Sequence, residues 1–267
     1  MRDVSAPGKY ARNLSIGQFI KAIGSLSGSL IPFAAARWLG MDWKILFPVY
    51  SAVLLLTIVI ISLTRMDEQR TTSSNSATFS SCFSLFSNRY ILMMVFAIFV
   101  YVGAEVCMSS GIPIYLNKQY GIDIKTWGLL GNAFFFISIL SGRFLGSVVL
   151  NWITAKRFFL ITVILSFVGL IGMFIPNPVV AVISIFITGV TFANIFPLIF
   201  SLTVESMPDR TNEISGLMVT AIVGGAIIPP VMGLVADNTS VVIGFVVPLI
   251  CMIYILYTSL ITLKRAK

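Results

Sequence analysis

Apolar residues fall along this chain in long stretches, with neither the strict alternation of a half-buried strand nor the narrow stripe of a soluble surface helix. Eight runs stand out, at 14–36, 45–64, 90–116, 127–150, 158–175, 179–202, 214–235 and 241–263. Each is close to or above the roughly 20 residues that an α-helix needs to cross the hydrocarbon layer. Helices and closed barrels alone satisfy every backbone group in that layer. The pattern therefore predicts an all-α integral membrane protein with eight transmembrane helices. The third run exceeds a bilayer width, which predicts a tilted helix or one broken near Gly111 and Pro113. The polar stretch 1–13 and the long first run show no cleavable signal.

Composition narrows the class. Of 267 residues 57% are hydrophobic and 10% charged, against about 25% charged in a soluble domain. A soluble enzyme, a disordered chain and a secreted disulfide scaffold are excluded. The chain has no histidine, which removes His-ligated zinc hydrolases, Ser–His pairs and His proton relays. Cys82, Cys107 and Cys251 read as small packing residues, and neither a disulfide nor a metal site nor a cofactor is expected.

The net charge of +8 reads as a topology signal with no nucleic-acid partner. Twelve Lys and Arg residues fall on the side of both chain ends and four on the other, which places both termini in the cytoplasm. Trp38, Trp43, Trp127 and Trp152 sit at run ends, the interfacial preference of an amphipathic ring. The longest connection, 65–89, is rich in Ser and Thr (TTSSNSATFSS) and separates two runs from six.

Polar side chains inside the runs are expensive in lipid and face a protein interior or a wet cavity. Lys21 and Arg143 each lie about seven residues, roughly 10 Å, from the cytoplasmic end of their runs. Either they snorkel or pair structurally, or they line a cavity. Glu105 is the one carboxylate well inside a run. It is a candidate for proton coupling or substrate binding, with a structural hydrogen bond as its alternative. Gln18, Asn132 and Asn194 complete the list, the two asparagines being cavity residues or interhelical glue.

Gly24 with Gly28, and Gly142 with Gly146, are GxxxG pairs whose expected meaning is close helix approach. The seventh run holds Gly224, Gly225, Pro229 and Pro230 within AIVGGAIIPPVMG, a kinked or gating segment. Intramembrane aspartyl and Ser–His proteases lack their residues here. Glu205, Asp209 and Glu213 with Arg210 read as a solvated loop.

A secondary transporter fits best. The stretch SGRFLGSVVLNWITAKRFF (141–159) resembles the helix-eight end and basic loop of major facilitator transporters. ANIFPLIFSLTVESMPDRTNEISGLMVTAIVGGAIIPPVMGLVAD (193–237) resembles helices ten and eleven of the fucose/glucose/galactose–proton symporter family, the fucose permease-like group. RNLSIGQFIKAIGS (12–25) resembles helix five of that family, and VGAEVCMSSGIPIYL (102–116) its helix seven, with an acidic residue at the place of Glu105.

The resemblance implies that the eight helices correspond to helices five to twelve of a twelve-helix fold, without helices one to four. Residues 1–64 would then end an amino-terminal bundle, 65–89 form the cytoplasmic inter-domain loop, and 90–267 make the carboxy-terminal six-helix bundle. It implies sugar–proton symport across the cytoplasmic (inner) membrane, with sugar, proton and lipid as partners. Gln18, Lys21, Asn132, Arg143 and Asn194 are the expected substrate-binding residues and Glu105 the proton-coupling residue. Gly224, Gly225, Pro229 and Pro230 are expected to gate, and Tyr101 or Phe135 to stack on a sugar ring. A non-transporting fragment that needs the missing helices, and an efflux transporter of another metabolite, are the alternatives.

Overall fold

The computed structural model describes residues 10–38, 40, 43–64, 79–122 and 129–265. The expectations for the chain's first nine residues, for most of the long loop and for Trp127 fall outside the described residues. Every described regular element is a helix. They are α1 (Tyr10–Trp38), α2 (Leu46–Leu63), α3 (Phe79–Ser84), α4 (Arg89–Tyr120), α5 (Leu129–Val149), α6 (Ala155–Gly172), α7 (Pro178–Ser206), α8 (Thr211–Thr220), α9 (Gly224–Asn238), α10 (Val241–Gly244) and α11 (Val246–Lys264).

Five stretches are long and apolar enough to cross a membrane: Arg89–Tyr120, Ala155–Gly172, Pro178–Ser206, the composite Pro208–Asn238 and the composite Val241–Lys264. Phe47–Leu63 and Phe134–Val149 are shorter apolar helices, and α1 runs for 29 residues. Each sequence run thus falls on a helix or a helix series.

Local chemistry sets the ends. The Asn88 side chain accepts from the amides of Tyr90 and Ile91 and starts α4, and Gly121 at φ 68° ends it in the left-handed region. Asn177 caps α7 in the same way, with Pro178 in the first turn where a missing N–H costs nothing. A single 3-10 turn, Ala221–Val223, joins α8 to α9.

Helices α4 and α7 form the centre. Helix α4 packs on α5, α7, α9 and α11, and α7 on α5 and α6, while α1 lies against α5 and α7. Helix α2 is exposed from Phe47 to Leu63, an apolar surface that only lipid or another helix can cover. The core is aromatic as well as aliphatic, with Tyr101, Tyr115, Phe135, Phe159, Phe192 and Phe245 fully buried.

The expected break at Gly111 and Pro113 does not occur, since α4 runs unbroken through 32 residues. Gly111 serves approach instead: a Cβ there would press on Met232 at 2.7 Å and on the Phe245 ring at 3.0 Å. The two GxxxG pairs differ. Added carbons at Gly142 and Gly146 would overlap the Val190 carbonyl and the Asn194 amide, so this pair seats α5 on α7. In α1, by contrast, an added carbon at Gly24 meets nothing within 4 Å and one at Gly28 only the Tyr50 hydroxyl at 3.9 Å, so among the described residues the first pair seats no close helix contact.

Candidate functional site

Three helices bring their rare polar residues to one place. Gln18 and Lys21 stand about one turn apart on α1, Glu105 lies midway along α4, and Arg143 lies on α5 beside the glycine that fits α5 to α7. The Arg143 guanidinium joins them. One terminal nitrogen, Nη1, donates to the backbone carbonyl of Gln18 at 2.6 Å, and Nη2 lies 3.8 Å from Glu105 Oε1. Arg143 is 5% exposed, and among the described residues its Nε has no partner. Lys21 is exposed and lies within electrostatic reach of Glu105. One cation is thus paired with the carboxylate and a second lies within reach of its charge.

The geometry is open on one side. The Glu105 side chain keeps 24% of its exposure against 6% for Arg143, and at 3.8 Å the pair is an ion pair without a hydrogen bond. A partly buried carboxylate held this loosely can exchange its partner for a proton or for a hydroxyl group of a ligand. A fully closed pair would have to break first, at a cost of several kcal/mol for the charge left behind.

The floor below Glu105 is fixed. Tyr101, one turn earlier on α4, donates to the Phe192 carbonyl of α7 at 2.7 Å, and the two rings lie 5.8 Å apart. The Tyr101 and Glu105 side chains also interact. The expectation that Tyr101 or Phe135 stacks on a sugar ring is corrected by their position: both are 0% exposed. The Tyr101 hydroxyl is engaged by α7, and Phe135 lies beneath Gly189 of that helix.

The other candidates fall elsewhere. Asn194, 2% exposed, donates across the α5–α7 seam to the Gly142 carbonyl at 2.9 Å, while its Oδ1 has no partner. Asn132 belongs to α5, and its side chain lies outside the described residues. On α9, Gly224 is buried where a Cβ would overlap the Phe99 carbonyl, and Gly225 touches Val102 and Val106. These glycines lean on the stretch of α4 that carries Glu105. Pro229 and Pro230 sit inside α9 and leave the carbonyls four residues earlier, at Gly225 and Ala226, without their helical donors.

Two features were not visible in the sequence. The acceptor for Arg143 on α1 is a backbone carbonyl, which no residue type announces. The Tyr101 tie to α7 likewise ends on backbone, and only the buried tyrosine hydroxyl's need for a partner hinted at it. Among the described residues no three acidic or Cys side chains gather into a metal-binding group.

Comparison with known proteins fits this arrangement. The profile of the Major Facilitator Superfamily matches residues 1–230. The chain is 31% identical over 185 residues to the glucose/galactose transporter of Brucella abortus, covering 68% of this chain and 44% of that one. It is 27% identical over 285 residues to a Helicobacter pylori relative with a provisional glucose/galactose transporter name, covering 95% of this chain and 66% of the relative. The chain therefore spans just under two thirds of the longer-matching relative. The crystal structure of FucP, a major facilitator transporter in the outward conformation, superposes with a TM-score of 0.81 at 18% identity, over 97% of this chain and 69% of that one. That likeness speaks for the fold. With most of its length matched by the family profile, the chain belongs to the Major Facilitator Superfamily.

Proposed function

We propose that this chain carries the part of a sugar–proton symporter that corresponds to helices five to twelve. All eight helical segments then cross the cytoplasmic membrane, with both termini inside. Residues 1–64 end one bundle and 90–267 form the other. The observation that carries the reading is the Glu105–Arg143 pair, 3.8 Å apart and open on the carboxylate side, anchored to α1 through the Gln18 carbonyl. The names of the Brucella relative and of an L-fucose–proton symporter from Haemophilus influenzae, 24% identical over 161 residues, support sugar as the substrate class and the proton as the coupling ion of this reading.

In this mechanism Glu105 takes the coupled proton and releases Arg143. The freed guanidinium, with Gln18 and Lys21, then donates to sugar hydroxyls. When the proton leaves, the pair re-forms and the sugar loses its donor. Asn132 and Asn194 add polar groups on α5 and α7, with Asn194 Oδ1 the unsatisfied acceptor. The joint at 221–225, with Pro229 and Pro230 beyond it, is where α8–α9 bends against α4 during alternating access.

The test is uptake in a host strain deficient in glucose, galactose and fucose entry. Accumulation of one of these sugars under an inward proton gradient, abolished by a protonophore, is the expected result. No accumulation of any of them overturns autonomous transport by this chain. A second reading then gains ground, in which further helices complete the cavity. It is supported by the 66% of the relative's length that is matched and by the uncovered face of α2. Uptake restored by co-expressing a segment that supplies helices one to four distinguishes it.

A further inference from the structure

Away from the Glu105 site, a groove of about 970 Å³ runs along the seam between α4 and α11 at the end that holds Arg89 and Lys264, the end proposed to face the cytoplasm. Its deep part is apolar and aromatic. Phe96 lies edge-on to Tyr254 at 5.0 Å and forms the floor, and the Tyr254 hydroxyl is turned away to the Met93 carbonyl. Its mouth is cationic. Arg89, Lys264 and Arg265 all line it, and no carboxylate does among the described residues. The Arg265 guanidinium lies 4.0 Å above the Tyr90 ring, while the Lys156 ammonium donates to the Arg265 carbonyl and adds a fourth positive charge at this end.

Arg89 and Phe96 are seven residues apart, so the charged mouth stands roughly 10 Å above the floor. Such an arrangement suits neither a sugar nor a soluble anion. A sugar needs acceptors for its hydroxyl protons, and the lining offers cations and apolar or aromatic side chains without a carboxylate or amide among the described residues, while a free anion would gain nothing from an apolar slot below the charges. Three cations with no carboxylate lining the groove beside them among the described residues, above an apolar groove of about 970 Å³, complement an anion that carries an apolar chain.

We propose that the α4–α11 groove is a binding site for an anionic phospholipid of the cytoplasmic leaflet. Its phosphate is held by Arg89, Lys264 and Arg265, and one acyl chain lies over Phe96 and Tyr254. The site rests on this geometry, on membrane insertion and on the proposed placement of both termini inside, and it is independent of the sugar-transport reading. Basic pockets between transmembrane helices on the cytoplasmic side commonly hold such headgroups.

The purified chain in a neutral detergent, titrated with phosphatidylglycerol or with phosphatidylcholine of the same acyl chains, tests it by native mass spectrometry. Phosphatidylglycerol is expected to bind the unmodified chain at least fivefold more tightly. Each cation removed should cost about fivefold in that preference, so K264Q/R265Q should nearly abolish it. K44Q/K118Q, which removes two charges assigned to the opposite membrane face, should keep it, and that outcome separates the site from bulk charge. Equal binding of the two lipids overturns the proposal. So do an unchanged preference in K264Q/R265Q, displacement of the lipid by water-soluble glycerol phosphate at equal concentration, and a lipid-insensitive dimer occupying the groove.

Discussion

Three ionisable side chains in apolar runs dominate the residue scale, and the sequence exposed them because everything around them is hydrophobic. Glu105 and Arg143 do meet, with Lys21 in electrostatic reach of the carboxylate. Their partners were harder to read, since contact across 125 positions of sequence, as from Arg143 to Gln18, leaves no spacing signal. Asn194 shows the opposite limit. Its polarity marked it, but the carbonyl it binds lies in the tight α5–α7 seam that Gly142 creates. If Glu105 and Arg143 act as a pair, their substitutions are non-additive. A cycle of Glu105→Gln, Arg143→Gln and the double variant, followed by reversible unfolding in bicelles, is expected to give a coupling of about 1 kcal/mol or more. Additive losses would mean that the 3.8 Å approach carries no energy.

Elements were the most legible level. Every apolar run falls on helical structure, and the Asn88 and Asn177 caps close to run starts explain where two of the longest helices begin. What the pattern missed was continuity. Pro113 does not break α4, which is packed before the proline at Gly111, where Met232 and Phe245 press close, and after it at Tyr115, whose ring meets Phe245 at 5.4 Å. The glycine pairs also looked alike in sequence and are not alike in space. Gly142→Ala forces a methyl group into the Val190 carbonyl and is expected to cost about 1–3 kcal/mol, as overpacking does. Gly24→Ala meets nothing within 4 Å and should leave stability within about 0.5 kcal/mol of the original. Thermal unfolding of the two variants side by side checks the contrast, and equal effects would contradict the packing described for α5 and α7.

At the scale of the whole molecule, the proposed division into two helices and six rests on one long polar loop, and the proposed sidedness on the excess of basic residues on one face. Neither required knowledge of packing. Packing adds that α1 lies on α5 and α7, so the shorter part contributes Gln18 and Lys21 to a site otherwise made by the longer one. Cys82 is partly exposed ahead of α4, whereas Cys107 and Cys251 are buried. A membrane-impermeant thiol reagent is therefore expected to label Cys82 in inside-out vesicles and not in right-side-out ones, with the other two cysteines silent in both. The reverse pattern would invert the topology. The central claim is that Glu105 carries the coupled proton, and a comparison of two modes of sugar movement tests it most directly. In vesicles from cells that take up the sugar, Glu105→Gln is predicted to preserve counterflow exchange, which needs no net proton movement, while gradient-driven accumulation falls at least tenfold. Gradient-driven accumulation that survives intact in Glu105→Gln would contradict it.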